Sequence, residues 1–226
     1  MVITVPAKFS STEKEATRKA AQKAGLKTAK LAAEPTAAAI AYQNDLGEDT
    51  ARDEAILVYD FGGGTFDVSI IRKERGSFHE IATGGDKTLG GNKLTASLEE
   101  ELLNRINDEY GMELPFEKDD FDEEICEMSW SDYQKNMMEI YEKANLIKEE
   151  LSEEETVACL CNIILPGGKT VEYEAEFSRD ELEDYIKDDI RKTVDITAQT
   201  IKEAEDKGVN KSTKLYWRVE VRIFLW

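Results

Sequence analysis

Apolar positions along the chain fall into distinct textures. Val2-Ile3-Thr4-Val5 and Ile56-Leu57-Val58-Tyr59 are short continuous runs, the pattern of strands buried on both faces. Thr65 to Arg72 and Phe78 to Ala82 are rich in β-branched and aromatic residues and flank the turn Glu74-Arg75-Gly76, which predicts an antiparallel meander. Thr12 to Lys23, Lys93 to Tyr110, Ser131 to Leu151 and Arg179 through about Thr197, with more helix to Asp206, read as helices. Ser10 or Ser11 and Ser178 can cap their first turns, and Gly25 and Gly111 stop two of them. Ala37 to Tyr42 is a helix of small residues with Pro35 in its first turn, where a missing N–H costs nothing. Val157 to Ile164 and Lys169 to Phe177 form a hairpin around Leu165-Pro166-Gly167-Gly168. Lys30-Leu31-Ala32-Ala33 leads into Glu34-Pro35-Thr36 with no element assigned, Asn44 to Glu54 and the acidic Glu117 to Glu124 read as connections and Thr83 to Gly91 as a glycine-bearing loop, and no internal repeat is present. The alternation of strands and helices is that of an α/β protein.

Composition turns this pattern into a folded chain and narrows its partners. With 226 residues, 41% hydrophobic, 34% charged and only four prolines, the chain can bury a core as one domain or two closely joined subdomains. Lys and Arg number 29 against 48 Asp and Glu, a net charge of −19. A surface that negative repels nucleic acid and anionic membrane, so neither is an expected partner. A nucleotide must then be held by a local device: backbone N–H groups, a metal ion or a few cations. Cys126, Cys159 and Cys161 are odd in number, and the last two are poorly placed for a relaxed disulfide, which suits a reducing compartment such as the cytoplasm. His79 is the single histidine, read as a surface strand residue, so histidine-based zinc sites and catalytic triads have at most this one candidate, with no motif around it. No apolar run approaches the ~20 residues of a membrane helix, and no signal-peptide pattern opens the chain.

The candidate chemistry lies in Asp60-Phe61-Gly62-Gly63-Gly64-Thr65-Phe66-Asp67. Three successive glycines between two strands let the backbone turn sharply and direct consecutive N–H groups at one anion without Cβ obstruction. A strand rather than a helix follows, so neither the P-loop nor the dinucleotide-binding fingerprint applies. Asp60 and Asp67 flank the bend, and carboxylates beside a phosphate require a hard cation such as Mg²⁺ between them. The same eight residues also suit an ordinary glycine hairpin with solvated acids.

A wider set of segments bears on that choice. Val2-Ile3-Thr4-Val5-Pro6-Ala7-Lys8-Phe9, Glu34-Pro35-Thr36-Ala37-Ala38-Ala39-Ile40-Ala41-Tyr42, Asp60 to Asp67, Gly85-Asp86-Lys87-Thr88-Leu89-Gly90-Gly91 and Ser178-Arg179-Asp180-Glu181-Leu182 resemble, in order and spacing, the heat-shock protein 70 (DnaK-type chaperone) family over most of positions 2 to 210. The resemblance implies an actin-like ATPase (ribonuclease-H-like) fold, incomplete here, with an α+β upper subdomain. It divides the chain into the second half of the lobe I base (1–49), the lobe II base (50–89 and 177–226) and the lobe II upper subdomain (90–176). It implies ATP or ADP with Mg²⁺, or potassium, as cofactors. Glu34 and Asp60 would hold the metal's waters, Asp67 would lie near a metal or potassium ion, and Gly62, Gly63, Gly64 and Thr65 would cradle the β- and γ-phosphates. Catalysis would rest on Glu34, Asp60, Thr65 and Asp67, with Gly90 and Gly91 on the nucleotide and Lys148 and Ser152 on the adenosine. The implied partners are a nucleotide-exchange factor, a J-domain co-chaperone and, through a domain outside this chain, unfolded client peptides.

Several positions depart from the family's pattern. Lys14 stands where the family pairs an arginine with Pro6, and Asn145 and Glu149 replace a glutamate and an arginine of the adenosine helix, which should weaken nucleotide binding. The family's first phosphate loop and catalytic lysine precede the segment matching Val2, and its second adenosine loop has a glycine pair where this chain reads Leu215 to Trp226 without glycine. One synonymous codon set from Tyr216 onward, read two bases later, encodes such a pair, so a shifted reading frame is an expected origin of this end. The expectation is an ATP-binding part of a chaperone whose hydrolysis is weak or absent. The alternative is a non-catalytic interaction module that retains the exchange-factor-binding lobe.

Overall fold

The computed structural model describes residues 1–26, 30–46, 54–209 and 215–220. Its elements run β1 (Val2–Val5), α1 (Ser11–Lys23), β2 (Lys30–Ala33), α2 (Glu34–Leu46), β3 (Glu54–Phe61), β4 (Phe66–Glu74), β5 (Ser77–Asp86), α3 (Gly91–Tyr110), α4 (Trp130–Glu150), β6 (Thr156–Ile164), β7 (Thr170–Ser178), α5 (Arg179–Asp206) and β8 (Leu215–Glu220). Among the described residues no helix is long and apolar enough to cross a membrane. The chain divides into two units, residues 1–91 with 191–226, and residues 92–190. Both passages between them lie inside helices, after the first residue of α3 and midway along α5.

In the first unit β3, β4 and β5 form the expected meander, and β8 joins the other side of β3 in parallel, giving the order β5-β4-β3-β8. Arg75 and Gly76 both take positive φ, 50° and 78°, which is what a two-residue hairpin turn between β4 and β5 demands. The register Ile56↔Ile71, Val58↔Ser69, Asp60↔Asp67 places these six residues on one face of the sheet. Ile56 and Ile71 pack there with Ala39 of α2. β1 pairs in parallel with β2, from Val2↔Lys30 to Val5↔Ala33. α1 opens on a full capping box in which Ser10 and Glu13 satisfy each other's backbone N–H groups. His79 is exposed on β5, as expected.

The second unit packs α3 and α4 on the β6-β7 hairpin, with Leu98, Leu102, Ile106, Ile140, Ile147, Ile163 and Phe177 buried together. Arg105 of α3 ties this core's rim. Its guanidinium donates to Glu101, Glu181, the Glu176 carbonyl and the Tyr185 hydroxyl, and lies 4.1 Å over the Phe177 ring. Leu182, Tyr185 and Ile186 at the start of α5 belong to the same cluster. That packing carries the second unit to residue 190, well into α5. All three cysteines are free and buried.

Three local differences from the sequence reading have physical reasons. Lys30–Ala33 is a strand, because β1 supplies the ladder hydrogen bonds that its alanine-rich side chains do not advertise. β5 continues through Gly84 and Gly85, which read as loop, since both pair with Val68 and Asp67 of β4. α4 begins at Trp130 with Ser129 as its cap, not at Ser131, and Ser129 accepts the Asp132 N–H at 3.2 Å. The segments 47–53 and 221–226, one a predicted connection and the other the apolar end of the tail, lie outside the described residues; Leu215–Glu220 is the strand β8.

Candidate functional site

The glycine triplet sits where β3 ends and β4 begins. The Gly62 N–H donates to the Thr65 carbonyl at 2.9 Å and closes the bend, and the Gly62 carbonyl accepts the Gly91 N–H at 2.9 Å. Gly62 therefore shapes the turn with both backbone groups. Among the described residues, no backbone carbonyl receives the N–H of Gly63, Gly64 or Thr65, and Gly64 and Thr65 are exposed. Three successive donors at a bend are an anion cradle of the kind a phosphate occupies.

Gly90 buttresses this bend from behind. A Cβ there would lie 2.7 Å from the Gly64 carbonyl carbon and the Thr65 nitrogen and 2.8 Å from the Gly62 oxygen, all backbone atoms. Gly91 is looser, its nearest neighbour the Gly63 Cα at 3.7 Å, and it opens α3. The sequence places Gly90 and Gly91 on the nucleotide; the structure places both against the cradle, Gly90 as its closest support. Gly85, with φ of 153°, brings β5 against the backbone of Phe66 and Asp67, where no side chain fits.

Three carboxylates converge at this end of the unit. Asp60 and Asp67 face each other as a cross-strand pair, and Glu34 is the first residue of α2, directly after β2. Burial, then the charges of Asp60 and Asp67, push the Glu34 carboxyl above its ordinary range. Asp67 is likewise pushed up, by burial first and Asp60 second, against the opposing pull of Lys8, a Thr65 side-chain hydrogen bond and Lys87. Carboxylates that repel one another in half-buried positions favour a cation among them. Among the described residues no group of three or more His, Cys, Asp or Glu side chains is arranged to hold a metal ion directly. Two facing carboxylates beside an anion cradle offer hard oxygen donors, the kind a hard cation with part of its water shell accepts.

Lys8 and Lys87 were not singled out by sequence. Lys8 donates to the Gly85 carbonyl at 3.3 Å, and Lys87 reaches Glu13 at 3.3 Å. Their positive charges beside Asp67 are visible only once residues far apart in the chain are folded together. Ser69, one position pair deeper on the same sheet face as Asp67, carries a buried hydroxyl with no hydrogen-bond partner among the described residues.

Lys148 and Ser152 lie in the second unit. Lys148 donates to Thr95 Oγ1 at 2.7 Å and Asn145 Oδ1 at 2.9 Å, and Asn145 in turn donates to Glu149 at 2.7 Å. Burial lowers the Lys148 pKa, partly opposed by the Glu149 charge. Ser152 is exposed and donates to the Glu149 carbonyl at 2.5 Å.

The pattern of a family described as "Hsp70 protein" matches residues 1–212. A Chaperone protein HscA homolog of Pseudoalteromonas atlantica is 34% identical over 204 residues, covering 90% of this chain and 28% of that protein. A Heat shock cognate HSP70 protein of Trypanosoma brucei brucei is 34% identical over 206 residues, covering 91% of the chain and 28% of that protein. A shorter stretch of 105 residues, 46% of the chain, is 52% identical to a Chaperone protein HscA homolog of Paracidovorax citrulli. The chain thus spans 28% of the length of the first two relatives.

Proposed function

Because this chain belongs to the Hsp70 family and has the actin-like ATPase fold of that family's nucleotide-binding domain, we propose that the bend at Gly63, Gly64 and Thr65 receives the β- and γ-phosphates of ATP or ADP as the nucleotide-binding part of a cytoplasmic chaperone. The observation that carries this reading is the meeting of Glu34 and Asp67, whose carboxyl pKa values are raised in part by the charge of Asp60, beside three successive N–H groups that no backbone carbonyl receives among the described residues. A bound Mg²⁺ would supply the charge that lets a triphosphate approach these acids, and Asp60, Asp67 and, through water, Glu34 would hold it.

The chain's own residues divide the work. The N–H groups of Gly63, Gly64 and Thr65 bind phosphate oxygens, Gly62 and Gly90 keep the bend rigid, and Thr65 hydrogen-bonds Asp67 and fixes its orientation. Glu34, whose carboxyl is pushed above its ordinary range by burial and by the charges of Asp60 and Asp67, is the group suited to orient or deprotonate a water near the terminal phosphate. By the same reading residues 1–49, 50–89 with 177–226, and 90–176 are the lobe I base, lobe II base and lobe II upper subdomains. An exchange factor would bind the upper one, and a J-domain co-chaperone and client peptides would act on the longer protein.

Thermal melting with and without Mg-ATP tests the reading, since a ligand bound by the native state alone raises the melting temperature. A rise that Asp60→Asn with Asp67→Asn abolishes supports it; no rise at millimolar Mg-ATP overturns it. The expected weak or absent hydrolysis is checked in the same samples by phosphate release.

A second reading, a non-catalytic module that keeps the exchange-factor-binding lobe, draws on the second unit. There Lys148 and Asn145 are engaged with Thr95 and Glu149, so the helix expected to grip adenosine has its polar groups turned to one another. Binding of an exchange factor without any nucleotide-dependent melting shift would favour it.

A further inference from the structure

Backbone N–H groups and lysine ammonium groups read phosphate oxygens and their charge, which are the same in every polyphosphate whatever it carries at its other end. The glycine bend gathers donors of these two kinds. The N–H groups of Gly63, Gly64 and Thr65 are received by no backbone carbonyl among the described residues. Lys8 stands just after β1 and donates to the Gly85 carbonyl at 3.3 Å. Gly85 is the register partner of Asp67, and so close to it that a Cβ there would lie 3.1 Å from Asp67 Oδ1. The Lys8 ammonium is thereby held at the Asp67 end of the bend. Lys87 follows in a turn fixed by Asp86, whose carboxylate accepts the Thr88 N–H at 2.8 Å and the Thr88 hydroxyl at 2.7 Å. Both lysines are exposed, and both charges act on Asp67.

The side chains that the sequence reading offers to adenosine are engaged with one another instead. Lys148 donates to Thr95 and Asn145, Asn145 donates to Glu149, and Ser152 donates to the Glu149 carbonyl. A base or ribose placed among them exchanges existing hydrogen bonds for new ones, which leaves little net gain.

Resting on the phosphate-binding reading above, we propose that this site takes hold of its ligand by the phosphate chain alone. The N–H groups of Gly63, Gly64 and Thr65 and the ammonium groups of Lys8 and Lys87 do the binding, so GTP and inorganic triphosphate, each with Mg²⁺, are ligands equal to ATP. At a net charge of −19 the chain repels polyanions in general. Triphosphate therefore gains nothing from the diffuse field and binds only where local donors and a cation overcome it.

Calorimetric titration of the full chain at fixed Mg²⁺ activity tests this, with ATP, GTP, inorganic triphosphate and adenosine as titrants. The three triphosphates are expected to bind with dissociation constants within about threefold of one another, and adenosine not to bind. Lys8→Met and Lys87→Met, at exposed positions where circular dichroism should show an unchanged fold, are each expected to weaken ATP and inorganic triphosphate by the same factor, about two- to fivefold. ATP binding that exceeds that of GTP and triphosphate by more than about tenfold would overturn the inference and leave the phosphate-binding reading standing. Adenosine binding as tight as that of ATP, triphosphate binding that neither lysine variant weakens, or a lysine effect confined to ATP would overturn it as well. Binding of none of the four would overturn the inference together with the reading it rests on.

Discussion

Gly90 and Gly64 stand across the same bend and make opposite demands on it. A methyl group at Gly90 meets three backbone atoms at 2.7–2.8 Å, none of which can swing aside, while one at Gly64 meets nothing within 4 Å. Gly90→Ala is expected to cost about 1–3 kcal/mol in urea unfolding, the range of overpacking a tight core, and Gly64→Ala well under that. Equal losses for the two would mean that the bend is not buttressed as described. Asp67 allows a prediction in pH. Its folded-state pKa lies above the ordinary 3.8, so the native state holds its proton more tightly than the unfolded chain does. Stability therefore falls as pH rises from 3.8 through the folded-state pKa, and stays reduced above it. Asp67→Asn should raise the melting temperature of the ligand-free protein at neutral pH, with the gain fading as pH falls toward 3.8. A gain that persists undiminished in acid would point to a different cause. At this scale Asp60, Asp67 and the glycines between them were legible because they adjoin in sequence. Glu34 entered only through the wider family pattern, and Lys8 and Lys87 were illegible because nothing local marks a lysine whose charge acts on a residue dozens of positions away.

Elements whose ends carry their own chemistry were the readable ones. Ser178 caps α5 reciprocally with Glu181: the Glu181 side chain accepts the Ser178 N–H at 2.8 Å, and the Ser178 hydroxyl accepts the Glu181 N–H at 3.3 Å. Ser178→Ala should cost about 1 kcal/mol of stability, read as a lower urea midpoint at unchanged slope. Removing Glu181 does more, because its other oxygen receives Arg105 at 2.9 Å, and Arg105 also holds the Glu176 carbonyl. Elements defined by partners were hidden. The alanines of β2 have little strand preference, and only the parallel ladder with β1 makes them a strand. The Gly84-Gly85 pair, which reads as a loop, is strand because it pairs with Val68 and Asp67 of β4, and Gly84 is glycine because a helix comes so close: a Cβ there would collide with the Thr200 hydroxyl and Ile196 of α5. Glycine there signals close approach rather than a turn.

For the molecule as a whole, charge is the dominant global property. At −19 the folded chain repels itself, and part of that repulsion is concentrated where Glu34, Asp60 and Asp67 meet. Added NaCl should raise the melting temperature by screening, and Mg²⁺ at equal ionic strength should raise it further. The additional Mg²⁺ increment should vanish in Asp60→Asn with Asp67→Asn while the NaCl increment remains. An increment surviving in that variant would assign the Mg²⁺ effect to the diffuse surface charge. The family and the α/β class were readable from spaced motifs, whereas the point midway along α5 where the chain returns to the first unit carries no local mark, because it falls within a helix that sequence treats as one object. The passage by which the chain returns to the first unit is wound into the hydrogen-bonded turns of α5. A protease needs an extended, slack segment, and the return passage at residues 190 and 191 offers a wound helix instead, so mild digestion should leave that crossing point uncut.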